Sequence, residues 1–432
     1  MKSVLIPAAL FIANRKRLAQ RLPASSVAIL NANDIMPTNA DGTMGHLQNA
    51  DLFYLTGIHQ EETVLLLAPG AFDPNHREVL FVREPNAHLA IWEGHKLTKE
   101  QATKISGIKT VKWLSELPTV FRIVMCESEN VFLNSNEHQR AATDVETRDS
   151  RFVRECQRQF PLHRYHRLAR LMHELRVVKS EPEVAIIQRA CDLTGRGFVR
   201  ACRCVKPGIN EAEIEAEMAH EFIRHKGAFA YSPIIASGAN NNILHYNQND
   251  QPCRKGELLL LDVAAGVGNY MSDLTRTIPV SGRFTRRQRQ VYDAVLRVFR
   301  QMLKAMVPGR TMKDLRTECE QLIAEECVGL GLLKSAALKK QTPDNPAAKP
   351  WFMHGVAHPV GLDVHDVTYN HFKIAPGWVM TCEPAIYIAA EGFGVRLENT
   401  VLVTENGPVD LMAKIPIEAE EIEELMGKKR MR

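Results

Sequence analysis

The sequence predicts an α+β chain of two domains, and three observations carry that prediction. Strand-like and helix-like stretches alternate through residues 1–155. A charged, irregular passage runs through 143–160, and beyond it amphipathic helices lead into apolar, strand-like runs that carry carboxylates. The domains are accordingly drawn as a smaller N-terminal α/β domain, 1–155, and a larger domain, 156–432. A chain of 432 residues is long enough to bury a core in each. Hydrophobic residues make up 45% and charged residues 24%, the balance of an ordinary folded protein, which sets disordered and membrane-spanning classes aside.

Taken in order, the basic opening reads as a helix, and 26–30, 63–68 and 78–82 read as strands because they are short, β-branched or leucine-rich, and bounded by Pro, Gly, Asn or Asp. Residues 98–105 read as a second helix. Two aromatic-bearing stretches, Asp51 to Gly57 and Ile91-Trp92-Glu93-Gly94, stand out, with core packing the default for Phe53 and Tyr54. Leu168, Leu171, Met172 and Leu175 recur at helical spacing within 162–176. Ser180-Glu181-Pro182-Glu183 then offers an N-cap, a first-turn proline and a capping-box glutamate, so a helix is expected from there to Cys204, ending before Pro207-Gly208. Further helices are expected over 211–225, 289–306 and 312–327. Strands are expected over 231–237 and at Ile243-Leu244-His245-Tyr246, on either side of an Asn-rich loop. His245, ending its strand beside that loop, reads either as functional or as a hydrogen-bonded core histidine. The polar stretch 334–350 reads as a loop or insertion.

A formal net charge of +4 is too small to indicate a nucleic-acid partner. The basic clusters Arg15-Lys16-Arg17, Arg286-Arg287 and Lys428-Lys429-Arg430 alternate with acidic and apolar positions, as solvated faces do. Nine cysteines cannot all pair within one chain, and Cys202-Arg203-Cys204 is too tight for a zinc pattern, so free thiols in a reducing compartment are expected. The apolar run after Lys2 resembles a short signal peptide, but Pro7 interrupts it and Arg15-Lys16-Arg17 follows at once. A cytoplasmic location and no membrane partner are expected.

The chemistry concentrates in the second half. Leu258-Leu259-Leu260-Leu261-Asp262 and Asp273-Leu274-Thr275-Arg276-Thr277 flank a reversal containing Gly266 and Gly268, a hairpin pattern. With the reversal centred on Val267-Gly268, Asp262 falls opposite Asp273, on one face with Cβ atoms roughly 5 Å apart. Two such anions repel by about 4 kcal/mol at an effective dielectric near 20, so the pair calls for cations. The alternative is two separately solvated carboxylates beside a surface turn. Further on come His354, His358 and His365, with Gly355, Pro359 and Gly361 arguing for strand and loop rather than one helix. Glu383 ends an apolar run just before Pro384, and Glu398 sits inside a strand pattern with Arg396 two residues earlier on the same face. Carboxylates in runs this apolar are costly unless paired or bound to metal. A single one reads as a salt bridge; two Asp, one His and two Glu on strand-like segments of one domain point to a dinuclear site.

Asp262, Asp273, the segment from His354 to Asp366, Thr381-Cys382-Glu383-Pro384 and Arg396-Leu397-Glu398 resemble, in order and context, the five-ligand pattern of the pita-bread metallopeptidases, and within them the bacterial Xaa-Pro aminopeptidases (aminopeptidase P). The resemblance covers nearly the whole chain. It implies a pita-bread catalytic domain preceded by a creatinase- or ribonuclease-H-like N-terminal domain serving oligomerisation and substrate access. It also implies two divalent metal ions, with Asp262 on one ion, Asp273 and Glu398 bridging both, and His358 and Glu383 on one each. Glu383 matches the general base; His245 and His365 match histidines that contact the substrate and steady the scissile carbonyl; His354 and Arg396 match supporting or substrate-binding positions, and Tyr387 a residue that orients a ligand. Trp92 sits where relatives place an aromatic reaching into a neighbouring subunit's site, which suggests a homodimer or homotetramer. The expected substrate is a peptide with proline in second place, the bond before that proline being hydrolysed.

Four carboxylates and one imidazole form a hard ligand set suited to Mn2+, with Co2+, Zn2+ or Fe2+ as alternatives. The sequence departs from the family at Asn399, where an Asp commonly follows the last Glu, at Ala385, where Gly is usual, and in the short link from Glu383 to Glu398. Three alternatives stand beside this reading: a prolidase restricted to dipeptides, a methionine aminopeptidase, and a non-catalytic peptide-binding module on the same fold.

Overall fold

The computed structural model describes residues 4–141, 144–342 and 345–427; the basic tail Lys428-Lys429-Arg430 lies outside the described residues. The chain forms two compact units, Leu5–Arg176 and Val177–Arg432.

The first unit is built on a six-stranded mixed sheet: β1 (Ser26–Asn31), β2 (Val64–Leu67), β3 (Glu78–Val82), β4 (Thr110–Trp113), β5 (Asn130–Leu133) and β6 (Arg164–Arg167), in the order β4-β3-β2-β1-β5-β6. Its helices are α1 (Ala8–Ala19), α2 (Ala50–Thr56), α3 (Ala87–Glu93), α4 (Lys99–Ser106), α5 (Leu117–Glu127), α6 (Arg148–Gln159) and α7 (Ala169–Arg176). Every residue of β1 is buried, as in a strand covered on both faces. Val27, Ile29, Val64, Leu66, Val79 and Phe81 share one core with Val120 and Val124 of α5. The Asp51 to Gly57 stretch is α2, capped by Asn49 and closed by Gly57 at φ 67°.

Two expectations fail here. The passage 143–160 is a helix over Arg148–Gln159, capped by Thr147; Phe152, Val153 and Cys156 form a narrow inward stripe that the surrounding arginines mask in the sequence. The helix expected over 162–176 begins instead as β6, which pairs in parallel with β5, while the Tyr165 hydroxyl donates to Cys156 O and Phe160 O. Only α7 keeps the helical spacing. Because β6 completes the first sheet, that unit runs on to Arg176, about twenty residues beyond the 155/156 boundary drawn from the sequence.

The second unit opens with α8 (Glu181–Cys204), whose Ser180–Glu183 capping box and first-turn Pro182 are those expected, and α9 (Glu211–Arg224). Next come β7 (Ala228–Phe229), β8 (Ile234–Ser237), β9 (Leu258–Asp262), β10 (Ala265–Val267), β11 (Tyr270–Met271) and β12 (Thr275–Pro279). The helices α10 (Arg286–Ala305), α11 (Met312–Gly329) and α12 (Ser335–Leu338) follow. The chain then enters β13 (Val379–Cys382), β14 (Ala385–Ile388), β15 (Phe393–Arg396), β16 (Asn399–Thr404) and β17 (Gly407–Asp410) and closes on α13 (Ala419–Gly427). The strands form three three-stranded sheets, β11-β10-β7, β12-β9-β8 and β13-β16-β17, and the pair β14-β15. No strand forms at 243–246, where the chain instead leaves a 3-10 turn over Gly238–Asn242. None of the nine cysteines forms a disulfide; eight are buried and Cys126 is exposed.

The carboxylate hairpin exists, with a corrected register. Its reversal is at Gly268 and Asn269, both at positive φ (57° and 64°), the two-residue turn whose twist suits a hairpin. Moving the centre by one residue shifts the pairing by two, so Asp262 faces Thr275 rather than Asp273. Side chains alternate with period two, and a two-residue shift therefore leaves Asp273 on the face of Asp262, as its diagonal neighbour.

Candidate metal centre

Each residue expected as a ligand sits where a strand ends or breaks. Asp262 closes β9, Asp273 lies two residues before β12, Glu383 follows β13, Glu398 lies between β15 and β16, and His358 is on the irregular segment before β13. Glu398 therefore occupies a break rather than the interior of a strand. Main-chain bonds splice these ends together: Glu398 N donates to Thr275 O at 3.0 Å, Thr381 N to His358 O at 2.9 Å and Glu383 N to Val356 O at 2.8 Å. Ligand-bearing breaks held by backbone bonds to rigid strands have little freedom to drift.

The side chains converge. Asp273, His358 and Glu398 each bring a donor atom within 4.8 Å of the other two, and all three are buried. His358 Nε2 lies 3.5 Å from Asp273 Oδ2 and 3.6 Å from Glu383 Oε1. Asp262 joins through Tyr231, whose hydroxyl is 2.6 Å from Asp262 Oδ1 and 2.7 Å from Asp273 Oδ1. Arg396 donates from Nη2 to Asp262 Oδ2 at 2.5 Å, from Nη1 to Tyr387 Oη at 2.7 Å and from Nε to Thr275 Oγ1 at 3.0 Å. Thr275 Oγ1 in turn donates to Glu398 Oε2 at 2.6 Å, so Arg396 and Glu398 meet again at one hydroxyl.

Of the remaining histidines, His354 has Nδ1 2.7 Å from Gly355 O and 3.4 Å from Glu383 Oε2, and Nε2 3.0 Å from Tyr387 Oη. A neutral ring with its proton on Nδ1 donates to Gly355 and accepts from Tyr387. His365 packs edge-on against His358 with ring centroids 4.2 Å apart. His245 is exposed, on the loop after the Gly238–Asn242 turn, and its charge bears on His354. A polar cleft of about 450 Å³ lies along that loop, lined by Ser237, Asn240, Tyr246 and Arg254 among others and by none of the clustered acids.

Burial dominates the electrostatics. It raises the carboxyl of Glu383 to about 7, His358 and Arg396 pulling it down while Asp273 and Asp262 push it up. Glu398 is raised well above the usual carboxylate range by burial and by Asp273, Glu383 and Asp262. Asp262 is raised by burial, against the pull of Arg396. Burial also lowers His354 to about 3, helped by the guanidinium of Arg396, and keeps its ring neutral. His358 goes the other way: burial favours the neutral ring, but the hydrogen bond it donates to Asp273 and the charges of Glu383 and Asp273 outweigh it. Tyr387 is pushed up to about 12 by burial and stays a phenol.

So many buried acids cannot all ionise without countercharge, and protons fill that role when nothing else does. An oxygen-rich pocket with one imidazole in reach fits hard divalent cations, which displace those protons on binding. Sequence reasoning missed three supports: Tyr231, Thr275 and Thr381, the last 3.0 Å from His358 N and 3.3 Å from Glu383 Oε1. The signal for the two threonines was period two: Thr275 lies two residues after Asp273, and Thr381 two before Glu383.

Comparison with known proteins places the chain in a family. The model of metallopeptidase family M24 matches residues 185–405, and that of the aminopeptidase P N-terminal domain matches residues 11–132. The chain is 32% identical to the Xaa-Pro aminopeptidase of Escherichia coli, over 96% of this chain and 97% of that one. It is 30% identical to human Xaa-Pro aminopeptidase 3, over 88% of this chain and 76% of the other. Among solved structures, Pseudomonas aeruginosa aminopeptidase PepP superposes with a TM-score of 0.90 at 30% identity, covering 98% and 99% of the two chains. Zinc-substituted Escherichia coli aminopeptidase P in complex with product gives 0.89 at 31%, covering 99% and 100%.

Proposed function

Because the chain belongs to metallopeptidase family M24 and is a metal-dependent Xaa-Pro aminopeptidase, we propose that it works at a centre of two divalent ions held by Asp262, Asp273, His358, Glu383 and Glu398. The observation that carries this reading is the meeting of the Asp273, His358 and Glu398 donor atoms within 4.8 Å, inside a pocket whose other acids are Asp262 and Glu383. The carboxylates of Asp262, Asp273, Glu383 and Glu398 and the imidazole of His358 would hold the ions between them. The hard donor set favours Mn2+, with Co2+, Zn2+ or Fe2+ as substitutes. When bound, such ions supply Lewis-acid polarisation of the scissile carbonyl and make a water acidic enough to attack near neutral pH.

The protein's own residues do the rest. Glu383, in the same pocket as His358 and His354, would accept the proton of the attacking water and hand it to the departing proline nitrogen. That nitrogen belongs to a tertiary amide and leaves poorly unless protonated. Arg396 holds Asp262 and Tyr387, and Tyr387 holds the neutral ring of His354. His245 and His365 contact the peptide around the scissile carbonyl. Trp92, 76% exposed beside Ile91 at 79%, serves assembly into a homodimer or homotetramer, in which the N-terminal unit shapes access to the site. Nine cysteines without a disulfide among them support a reducing, cytoplasmic location. Among the described residues no helix is long and apolar enough to cross a membrane.

The test is an assay of chelated and reloaded protein on an Xaa-Pro-Yaa tripeptide and an Xaa-Pro dipeptide, with metal content measured alongside. Manganese-dependent release of the first residue from the tripeptide, at two ions per chain, is expected. Activity on the dipeptide alone, or full activity at one ion per chain, would overturn the reading.

A further inference from the structure

The loop that carries His245 is fastened from beneath by one buried carboxylate. Glu211, the first residue of α9, is fully buried. Its Oε1 accepts from Ser237 N at 2.8 Å and Ser237 Oγ at 2.6 Å, and its Oε2 from Tyr246 Oη at 2.8 Å and Gln251 N at 3.0 Å. These donors bracket His245 on both sides. Two further ties close the loop. Asn241 Oδ1 accepts from Gly394 N at 2.7 Å, on the strand that ends in Arg396. Asn249 Oδ1 accepts from Ile235 N at 2.9 Å, while its Nδ2 donates to Glu215 Oε2 and Pro233 O. The imidazole of His245, by contrast, is exposed and takes part in none of the hydrogen bonds of the described residues. Its place is therefore set through the main chain, and most directly through its neighbour Tyr246.

We infer that Glu211 is a positioning residue for His245, acting through Tyr246 and Ser237 rather than by touching the substrate. The chemistry of the contact explains why a carboxylate is needed. Four donors converge on two oxygens, and a buried anion that accepts four hydrogen bonds is held more firmly than a neutral acceptor would be. An amide in its place turns one acceptor into a donor facing donors, which leaves buried polar groups unpaired and loosens the loop. This inference rests on the proposed role of His245 at the substrate, and its test separates the two.

The experiment is a double-mutant cycle on manganese-loaded protein with an Xaa-Pro-Yaa peptide. Glu211→Gln is expected to lower kcat/KM by about 10- to 100-fold, since small misplacements of a substrate-contacting group have effects of that order. In the His245→Ala background the same change should have almost no further effect, because there is nothing left to position. Metal content should stay at the wild-type value in both. Tyr246→Phe, which removes one donor and keeps the ring, guards against a Glu211→Gln protein that does not fold. It is expected to lose about fivefold in the presence of His245 and nothing in its absence. Equal losses in both backgrounds, as a general destabilisation would give, overturn the inference, as does unchanged activity of both variants. Unchanged activity of His245→Ala alone overturns it too, at the level of the role assigned to His245.

Discussion

Lys179 Nζ and Asp366 Oδ2 meet at 2.9 Å, and each side chain is only 1% exposed. The pair ties the start of the catalytic unit to the segment that carries His358 and His365, next to Gly361, where an added Cβ would collide with the Asp366 carboxylate. Neither charge reaches water, so deleting one removes the opposite charge that offsets the other's burial. Asp366→Asn or Lys179→Met is expected to lower the unfolding free energy by about 3–5 kcal/mol, read as a fall in the urea midpoint at constant slope. Replacing both with apolar residues should recover most of that loss. Single variants within 1 kcal/mol of wild type, on the same scale of roughly 3–5 kcal/mol, would contradict the assignment.

Tyr231 lies within hydrogen-bond distance of both hairpin carboxylates. Tyr231→Phe keeps the ring and removes the hydroxyl that orients them. Manganese affinity should weaken by about 10- to 100-fold, the usual effect of losing a group that steadies a ligand. Titration of the chelated protein with manganese measures it, and an unchanged binding curve would argue that the hydroxyl is incidental.

Metal removal should soften the catalytic unit. The acids of the centre crowd each other without cations, so chelated protein is expected to melt at a lower temperature than loaded protein. Manganese at a hundred times its dissociation constant should restore about 2.7 kcal/mol per independent site. Because Glu383 is raised to about 7 and Glu398 and Asp262 are also raised, binding at neutral pH should release protons. Calorimetry in two buffers of different ionisation heat detects that release. Identical melting curves with and without manganese would remove the support for a cation-binding pocket.

Asp149 supplies a pH-dependent term in the N-terminal unit. Burial raises its carboxyl to about 6 despite a 3.0 Å hydrogen bond from Asn31, and Asp51 adds to the rise. Between the ordinary aspartate value and 6 the folded protein keeps a proton that the unfolded chain has given up. Stability therefore falls as pH rises through that window and stays lower above it. Asp149→Asn, which still accepts from Asn31, should match wild type in stability near pH 4 and exceed it at pH 8, by up to about 3 kcal/mol. A variant that is less stable at pH 8 would show that the buried charge is favourable where it stands.

Trp92 and Ile91 expose apolar surface on α3. Trp92→Ala is expected to shift the oligomer towards smaller species in light scattering and to weaken peptide turnover at low protein concentration. A monomeric wild-type protein would end this expectation.

The candidate centre was legible in the sequence because carboxylates are rare in apolar runs. Asp262, Glu383 and Glu398 stood out against leucine, valine and methionine neighbours before any geometry was known. The fold of that half was less legible where a single residue decides it. A turn centred on Gly268-Asn269 instead of Val267-Gly268 moved the hairpin register, and only the alternation of side chains kept both aspartates on one face. The passage at 143–160 was misread for a different reason: the helix Arg148–Gln159 buries a stripe of Phe152, Val153 and Cys156, too narrow to show through its arginines. The anchoring of the His245 loop was invisible, since Glu211 and Tyr246 are far apart in sequence and meet only after α9 and β8 have packed.

The distribution of thiols has a practical side. Burial holds Cys156, Cys253 and Cys327 at about 12 and raises Cys191, Cys202, Cys319 and Cys382 as well, while Cys126 alone is exposed, near the end of α5. A maleimide offered to the folded chain thus meets a single address, remote in sequence from every residue of the proposed metal centre. The natural polypeptide can carry one fluorophore or spin label without any cysteine being engineered in or out.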